Sequence, residues 1–234
     1  MPYQFESRVR YSEVGEDQRL TLPGVIDYFQ DCSTFHSEDL GVGLEKLTAR
    51  GKAWILASWQ IQIERLPVLG EKIVIQTWPY NFKGFYGERN FRILDDKGQT
   101  LASAASMWIY LDVASKRPSR VDEDIQNAYV LEEPLALGPI SRKIPMPAGS
   151  VKKDSFSVMR SHLDTNHHVN NGQYIVMAEE YLPEGFQVKQ IRVEYRKSAV
   201  LHDVIVPFVH EEADQCTISL CDIDEKPYAV IEFS

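Results

Sequence analysis

The sequence predicts an α+β protein made of two similar halves, each an antiparallel sheet wrapped around one long helix. Three observations lead there. Each half opens with an extended stretch, passes a polar turn, enters a helix and then runs through four β-rich segments. Local pairs coincide between the halves, as in Ile61-Gln-Ile-Glu and Ile191-Arg-Val-Glu. Between them, roughly from Arg117 to Ser150, lie Pro118, Pro134, Pro139, Pro145 and Pro147 with little apolar periodicity, the composition of an interdomain linker.

In the first half, Phe5–Tyr11 reads as extended and Gly15-Glu-Asp as a turn. Val25–Thr34 reads as a helix with Val25, Phe29 and Cys32 on one face and Gly41 as its stop. Strands follow at Trp54–Ile63, Lys72–Trp78, Gly87–Leu94 and Thr100–Leu111, marked by β-branched and aromatic residues. The second half repeats the order: extended Ser155–Arg160, a polar turn over Asp164–Asn171, and a helix over Gln173–Tyr181 with Tyr174, Met177, Ala178 and Tyr181 on one face, ended by Pro183. Its strands are expected at Gln190–Tyr195, Val204–His210, Thr217–Cys221 and Tyr228–Phe233, and Asp95-Asp-Lys-Gly and Asp222-Ile-Asp-Glu are the matching hairpin turns. This is the hotdog layout twice in one chain. The expected divisions are residues 1–125 for the first domain, 126–150 for the linker and 151–234 for the second domain.

Composition narrows the functional classes. The 234 residues are 44% hydrophobic and 11% aromatic, ordinary for a globular protein. Apolar runs such as Trp54–Ser58 are too short to cross a bilayer. The first residues have no apolar core behind a basic start, so no signal peptide and a cytoplasmic location are expected. A formal net charge of −9 argues against nucleic acid or an anionic membrane as partner. Local cations at Lys116-Arg117-Pro118-Ser119-Arg120, Arg142-Lys143 and Lys152-Lys153 are either solvated loop residues or a docking patch. Cys32, Cys216 and Cys221 have no metal-type clustering and read as reduced core residues. No cofactor is implied: metal-ligand spacing, a phosphate-cradling Gly-rich loop and a Gly-x-Ser-x-Gly elbow are all absent from the sequence.

The most informative stretch is Leu163-Asp-Thr-Asn-His-His-Val-Asn-Asn-Gly-Gln-Tyr. It sets a carboxylate, an amide and an imidazole at alternate positions just before a helix, and in an extended or looping segment Asp164, Asn166 and His168 could face one cavity while Thr165 and His167 face away. The helix N-terminus around Asn171 and Gly172 would then polarise a carbonyl. Taken singly, Asp164, Asn170 and Asn171 are ordinary turn and cap residues. Sliding the first half onto the second places Gly15, Asp17 and Arg19 opposite Asp164, Asn166 and His168, so the set occurs once per chain, which suits a job done once.

On these residues the chain resembles the acyl-ACP thioesterases of plant plastids and their bacterial relatives, which are tandem hotdog proteins. Their Asp-x-Asn-x-His-Val-Asn-Asn-x-x-Tyr pattern stands at Asp164–Tyr174, followed by Val193-Glu-Tyr-Arg. Trp54-Ile-Leu, Ile63-Glu-Arg-Leu-Pro, Gly70-Glu, Thr77-Trp and Ala105-Ser-Met-Trp match in the first half. The resemblance implies catalysis by Asp164, Asn166 and His168 on fatty acyl groups carried by acyl carrier protein. It departs at one place: where the plant-type enzymes have a catalytic Glu followed by Cys, this chain has Ser198 and Ala199. Ser198 could hold a water there, and Glu194 stands four residues earlier on the same strand.

Two mechanisms stay open, attack by Asp164 through a mixed anhydride or attack by water deprotonated by His168. His36, His162, His202 and His210 have no partner at motif spacing and read as structural; His167 is expected to face away. Val25, Ile26, Phe29, Trp54, Trp59, Trp78, Phe82, Phe85 and Trp108 in the first half would pack the core, a few also lining an acyl tunnel. A CoA thioesterase, a non-catalytic acyl sensor and a dehydratase are rival readings. Hotdog sheets commonly pair, which allows a homodimer.

Overall fold

The computed structural model describes residues 1–138 and 142–234. Two compact units emerge, Met1–Ala57 with Ile61–Pro139 and Ser58–Gln60 with Ile140–Ser234.

In the first unit β1 (Tyr3–Arg8) leads through a 3-10 turn to α1 (Leu22–Asp39), a short α2 (Leu44–Ala49), then β2 (Lys52–Ile63, of which Ser58–Gln60 group with the second unit), β3 (Lys72–Lys83), β4 (Tyr86–Asp95), β5 (Thr100–Asp112), β6 (Arg117–Pro118) and α3 (Glu123–Ala128). Sheet order is β1-β3-β4-β5-β2, and the β1–β3, β3–β4 and β4–β5 pairings are antiparallel. α1 begins where the Thr21 side chain accepts the Gly24 N–H at 3.2 Å and Pro23 fits the first turn. It runs three residues earlier and five later than its apolar periodicity suggests, to Asp39, and Gly41 follows at φ 66°. Val25, Ile26, Phe29 and Cys32 are fully buried, and the Phe29 ring meets Phe91 of β4 at 5.2 Å. The helix therefore covers one face of the sheet. Trp59 and Trp78 are buried as well, while Trp54 packs against Phe82 and Tyr110.

The second unit holds β7 (Val151–Lys152), β8 (Phe156–Ser157), a 3-10 turn at Arg160–His162, α4 (Asn171–Glu179), β9 (Gln190–Tyr195), β10 (Val204–Glu211), β11 (Cys216–Cys221) and β12 (Pro227–Phe233). Its order is β9-β12-β11-β10-β7, with β8 also on β10. Tyr174, Ile175, Met177 and Ala178 of α4 are buried, and the helix lies on β11 and β12. The extended stretch expected over Ser155–Arg160 pairs only at Phe156–Ser157. No helix among the described residues is long and apolar enough to cross a membrane.

The segment expected to be a linker is packed. Tyr129 sits in a core cluster with Val121, Ile125 and Tyr110. The indole N–H of Trp78 donates to Glu133 O at 2.9 Å, and Leu135 N donates to Asn90 Oδ1 at 2.8 Å, so residues 129–138 run as a strap on the first unit. Pro139 lies outside the described residues. Beyond it, Ile144 is 1% exposed; its N–H donates to Glu194 Oε2 at 2.9 Å, and Arg196 donates to its carbonyl at 2.7 Å. Proline richness here reflects a strap whose backbone groups are satisfied by side chains instead of by a sheet ladder.

The three cysteines are buried and free, and burial pushes the Cys32 thiol up to about 12 and those of Cys216 and Cys221 up to about 11. His36 stacks on Tyr3 at 4.8 Å and accepts from Arg89 Nη1 at 3.1 Å. Burial first, then the Arg89 charge, pushes its pKa down to about 4. An unfolded imidazole titrates near 6.5, so between those values the unfolded chain binds the extra proton and stability falls as pH drops. His36→Gln should accordingly shrink the loss of Tm between pH 7 and pH 4.5 relative to wild type. Glu194→Ala should lower stability by about 1–3 kcal/mol in a denaturant titration, because it orphans the buried Ile144 N–H, whereas Glu194→Gln keeps an acceptor and costs less.

Candidate functional site

The approach to Asp164–His168 is built by short-range bonds. The Arg160–His162 3-10 turn is closed by His162, whose Nδ1 accepts Met159 N at 3.1 Å. Leu163 and Val169 then bridge, and between them Asp164 N donates to His168 O at 2.8 Å and His167 N to Asp164 O at 3.1 Å. Asp164 Oδ1 accepts Asn166 N at 2.8 Å and His168 N at 3.2 Å, and His167 takes the left-handed conformation at φ 62°. This is a hairpin loop with a left-handed residue in its last position.

Among the described residues the same turn recurs at Asp95–Gln99, Asp222–Lys226 and Gly15–Arg19. Asp95 N donates to Gln99 O, its Oδ1 accepts Lys97 N and Gln99 N, and Gly98 is left-handed. Asp222 N donates to Lys226 O, its Oδ1 accepts Asp224 N and Lys226 N, and Glu225 is left-handed. In the first unit Gly15 N donates to Arg19 O with Gln18 left-handed, and there Asp17 Oδ1 accepts Arg19 N. Asp164 therefore occupies the turn-forming position that Asp95 and Asp222 occupy in plain hairpins. What sets its loop apart is the pair it presents, Asn166 and His168, both exposed.

This closed turn falls within the polar turn expected over Asp164–Asn171. In a closed turn side chains do not alternate: Asp164 folds its carboxylate back on its own loop, while Thr165, Asn166, His167 and His168 are all exposed. Among the described residues no hydrogen bond joins the side chains of Asp164, Asn166 and His168.

α4 begins directly after. Its N-cap is Asn170, whose side chain accepts Gly172 N at 2.7 Å, and Gly172 is buried. The expectation that Gly172 N–H polarises a substrate carbonyl is corrected, since that donor is spent on the cap. Asn171 opens the helix, and its carbonyl receives the Tyr195 O–H at 3.0 Å.

The opposite wall is the segment after β9. Val169 N donates to Ala199 O at 2.9 Å and His168 bridges Val200, which seats residues 198–200 directly beside the turn. Ser198 is exposed there; Lys197 pairs with Asp222 and lies 4.2 Å over the Tyr228 ring. Glu194, on β9 four residues before Ser198, is 9% exposed and bonds Ile144 N and Arg196. Tyr174, expected on one helix face with Met177, Ala178 and Tyr181, also reaches this wall: its phenol oxygen accepts the buried N–H of Ala199 at 2.9 Å. Among the described residues no group of three or more His, Cys, Asp and Glu side chains is placed to hold a metal.

Two family models match the chain, the acyl-ACP thioesterase N-terminal domain over residues 2–129 and the C-terminal domain over residues 147–227. Oleoyl-acyl carrier protein thioesterase 1 of Arabidopsis thaliana is 26% identical over 88% of this chain and 62% of its own length. The palmitoyl-acyl carrier protein thioesterase of Cuphea hookeriana is 24% identical over 84% of this chain and 52% of its own. The chain thus spans about half to three fifths of these relatives. In structure it is similar to an acyl-ACP thioesterase of Bacteroides thetaiotaomicron, with a TM-score of 0.90, 21% identity and coverage of 98% and 96% of the two chains. The 12:0-ACP thioesterase of Umbellularia californica gives 0.88 at 18% identity, covering 100% and 96%. The fold is the tandem hotdog of those structures, and with both domain models matched in order the chain belongs to the acyl-ACP thioesterase family.

Proposed function

We propose that the chain hydrolyses fatty acyl thioesters of acyl carrier protein, releasing the free acid and the carrier thiol. The observation that carries this reading is the pair of exposed side chains, Asn166 and His168, presented by a turn that is otherwise plain, in a chain matched by both domains of the family.

In the reaction His168 takes a proton from water, the resulting hydroxide adds to the thioester carbonyl, and the C–S bond breaks. The proton returns to the departing sulfur, an easy leaving group because a thiol pKa lies near 8.5. Asn166 orients the carbonyl or the water through its amide, and Asn171 places the substrate at the positive end of α4. Asp164 shapes the turn and holds His168 by its own N–H. Ser198, exposed beside the turn, holds a water there. Chain-length selection belongs to the first unit, where Val25, Ile26 and Phe29 build the apolar interior beneath α1. Free, buried cysteines fit a reducing compartment such as the cytoplasm.

Thiol release from acyl carrier protein and CoA esters of graded chain length tests the reading. Carrier-protein esters should turn over faster, and His168→Ala should lower kcat by about 10²–10⁴. Asp164→Asn keeps an oxygen to cap the turn and should retain most activity, whereas Asp164→Ala should lose it. Abolition by Asp164→Asn in a folded protein would instead make Asp164 the nucleophile. Equal rates on CoA esters would favour the CoA reading, and tight acyl binding without turnover would make the chain a sensor.

A further inference from the structure

The walls of the site are held together by a contact that the first unit does without. Ala199 is fully buried, its carbonyl taken by Val169 N and its N–H by Tyr174. Tyr174 is 2% exposed, and its ring meets Tyr195 edge-on at 5.8 Å; Tyr195 in turn bonds the first residue of α4. A phenol, the start of the helix, the 198–200 segment and the His168 turn thus form one cluster.

The first unit shows which part of this cluster the fold itself requires. There Arg19 bridges Val68 as His168 bridges Val200, and Leu20 N donates to Pro67 O as Val169 N donates to Ala199 O. Pro67 therefore stands at the position of Ala199, and a proline has no N–H to satisfy. Val25 follows Arg19 by the interval at which Tyr174 follows His168. The unit without the histidine lacks both the donor and the acceptor, and its backbone pairing is the same. Turn and segment can associate without the bond.

We propose that Tyr174 is a positioning residue: by accepting the Ala199 N–H it fixes the Ser198–Val200 segment against the Asp164–His168 turn, and so sets where His168 and Ser198 meet the substrate. This rests on the hydrolase reading above. Burial pushes the phenol up to about 12, so the hydroxyl stays protonated and the bond persists across the working pH range. Catalytic groups left without such support drift from productive geometry, and displacements near 1 Å can cost about a hundredfold in rate.

The test compares wild type, Tyr174→Phe, and Tyr174→Phe with Ala199→Pro, which, like Val25 and Pro67 of the first unit, has neither donor nor acceptor. Tyr174→Phe should lower kcat on acyl carrier protein esters about tenfold or more, with KM changed less than about twofold. Amide hydrogen exchange at His168 and Val169 should quicken. The double variant removes the orphaned donor and should regain the Tm lost in Tyr174→Phe while kcat stays low. Unchanged kcat in folded Tyr174→Phe, or recovery of kcat together with Tm in the double variant, would show that the phenol merely satisfies a buried donor and would overturn the proposal. Should wild type turn over no thioester, the hydrolase reading fails separately, and unchanged exchange at His168 and Val169 in Tyr174→Phe would by itself overturn the positioning role.

Discussion

Each unit is organised by the demand that a sheet with one apolar face bury that face against a single helix. α1 does so with Val25, Ile26, Phe29 and Cys32, and α4 with Tyr174, Ile175, Met177 and Ala178. Once the helix is fixed on the sheet, the loop that enters it has little freedom. A 3-10 turn, a closed five-residue turn and a polar N-cap follow in the same order in both units, with Thr21 and Asn170 as caps. Residues 164–168 are therefore delivered to one place by the burial of a helix.

Duplication separates what the backbone requires from what chemistry requires. The turns at Gly15–Arg19 and Asp164–His168 share their cross-loop bond and their left-handed fourth residue, although only the second offers an imidazole. Glu13 accepts Arg10 N as His162 accepts Met159 N, so even a histidine beside the site is accounted for as a cap. After these shared features are subtracted, the second unit keeps Asn166, His168 and the Tyr174–Ala199 bond.

The longer strands and hairpins are readable in the residues because a period of two and Asp-initiated turns are local signals; β9 coincides with its expected range and β2, β3, β4, β5, β10, β11 and β12 differ by a few residues at their ends, whereas the two-residue β6 and β7 carry no such signal. α2 was not foreseen, since Leu44–Ala49 is too short for a helical period to show. The bonds that close the turn at 164–168 join backbone groups and the Asp164 carboxylate within five residues, which the Asp and the left-handed fourth position signal locally. The engagement of the Gly172 N–H by the Asn170 cap is not announced by the helical period, and the Pro-rich segment packs since Glu133, Leu135 and Ile144 find side-chain partners that no linear pattern announces. Tyr174 needed its partner 25 residues away to be seen as more than core.

Burial of the cysteines has a practical side. A thiolate is the reactive form, and thiols held at about 11 to 12 stay protonated at neutral pH and out of reach of solvent. Cys32, Cys216 and Cys221 will be slow to take up disulfide reagents, alkylating agents or peroxide while the fold is intact. A colour-forming thiol reagent added to the native protein will report sulfhydryl set free from a substrate against a quiet background, and a sudden stoichiometric rise in its signal will mark unfolding.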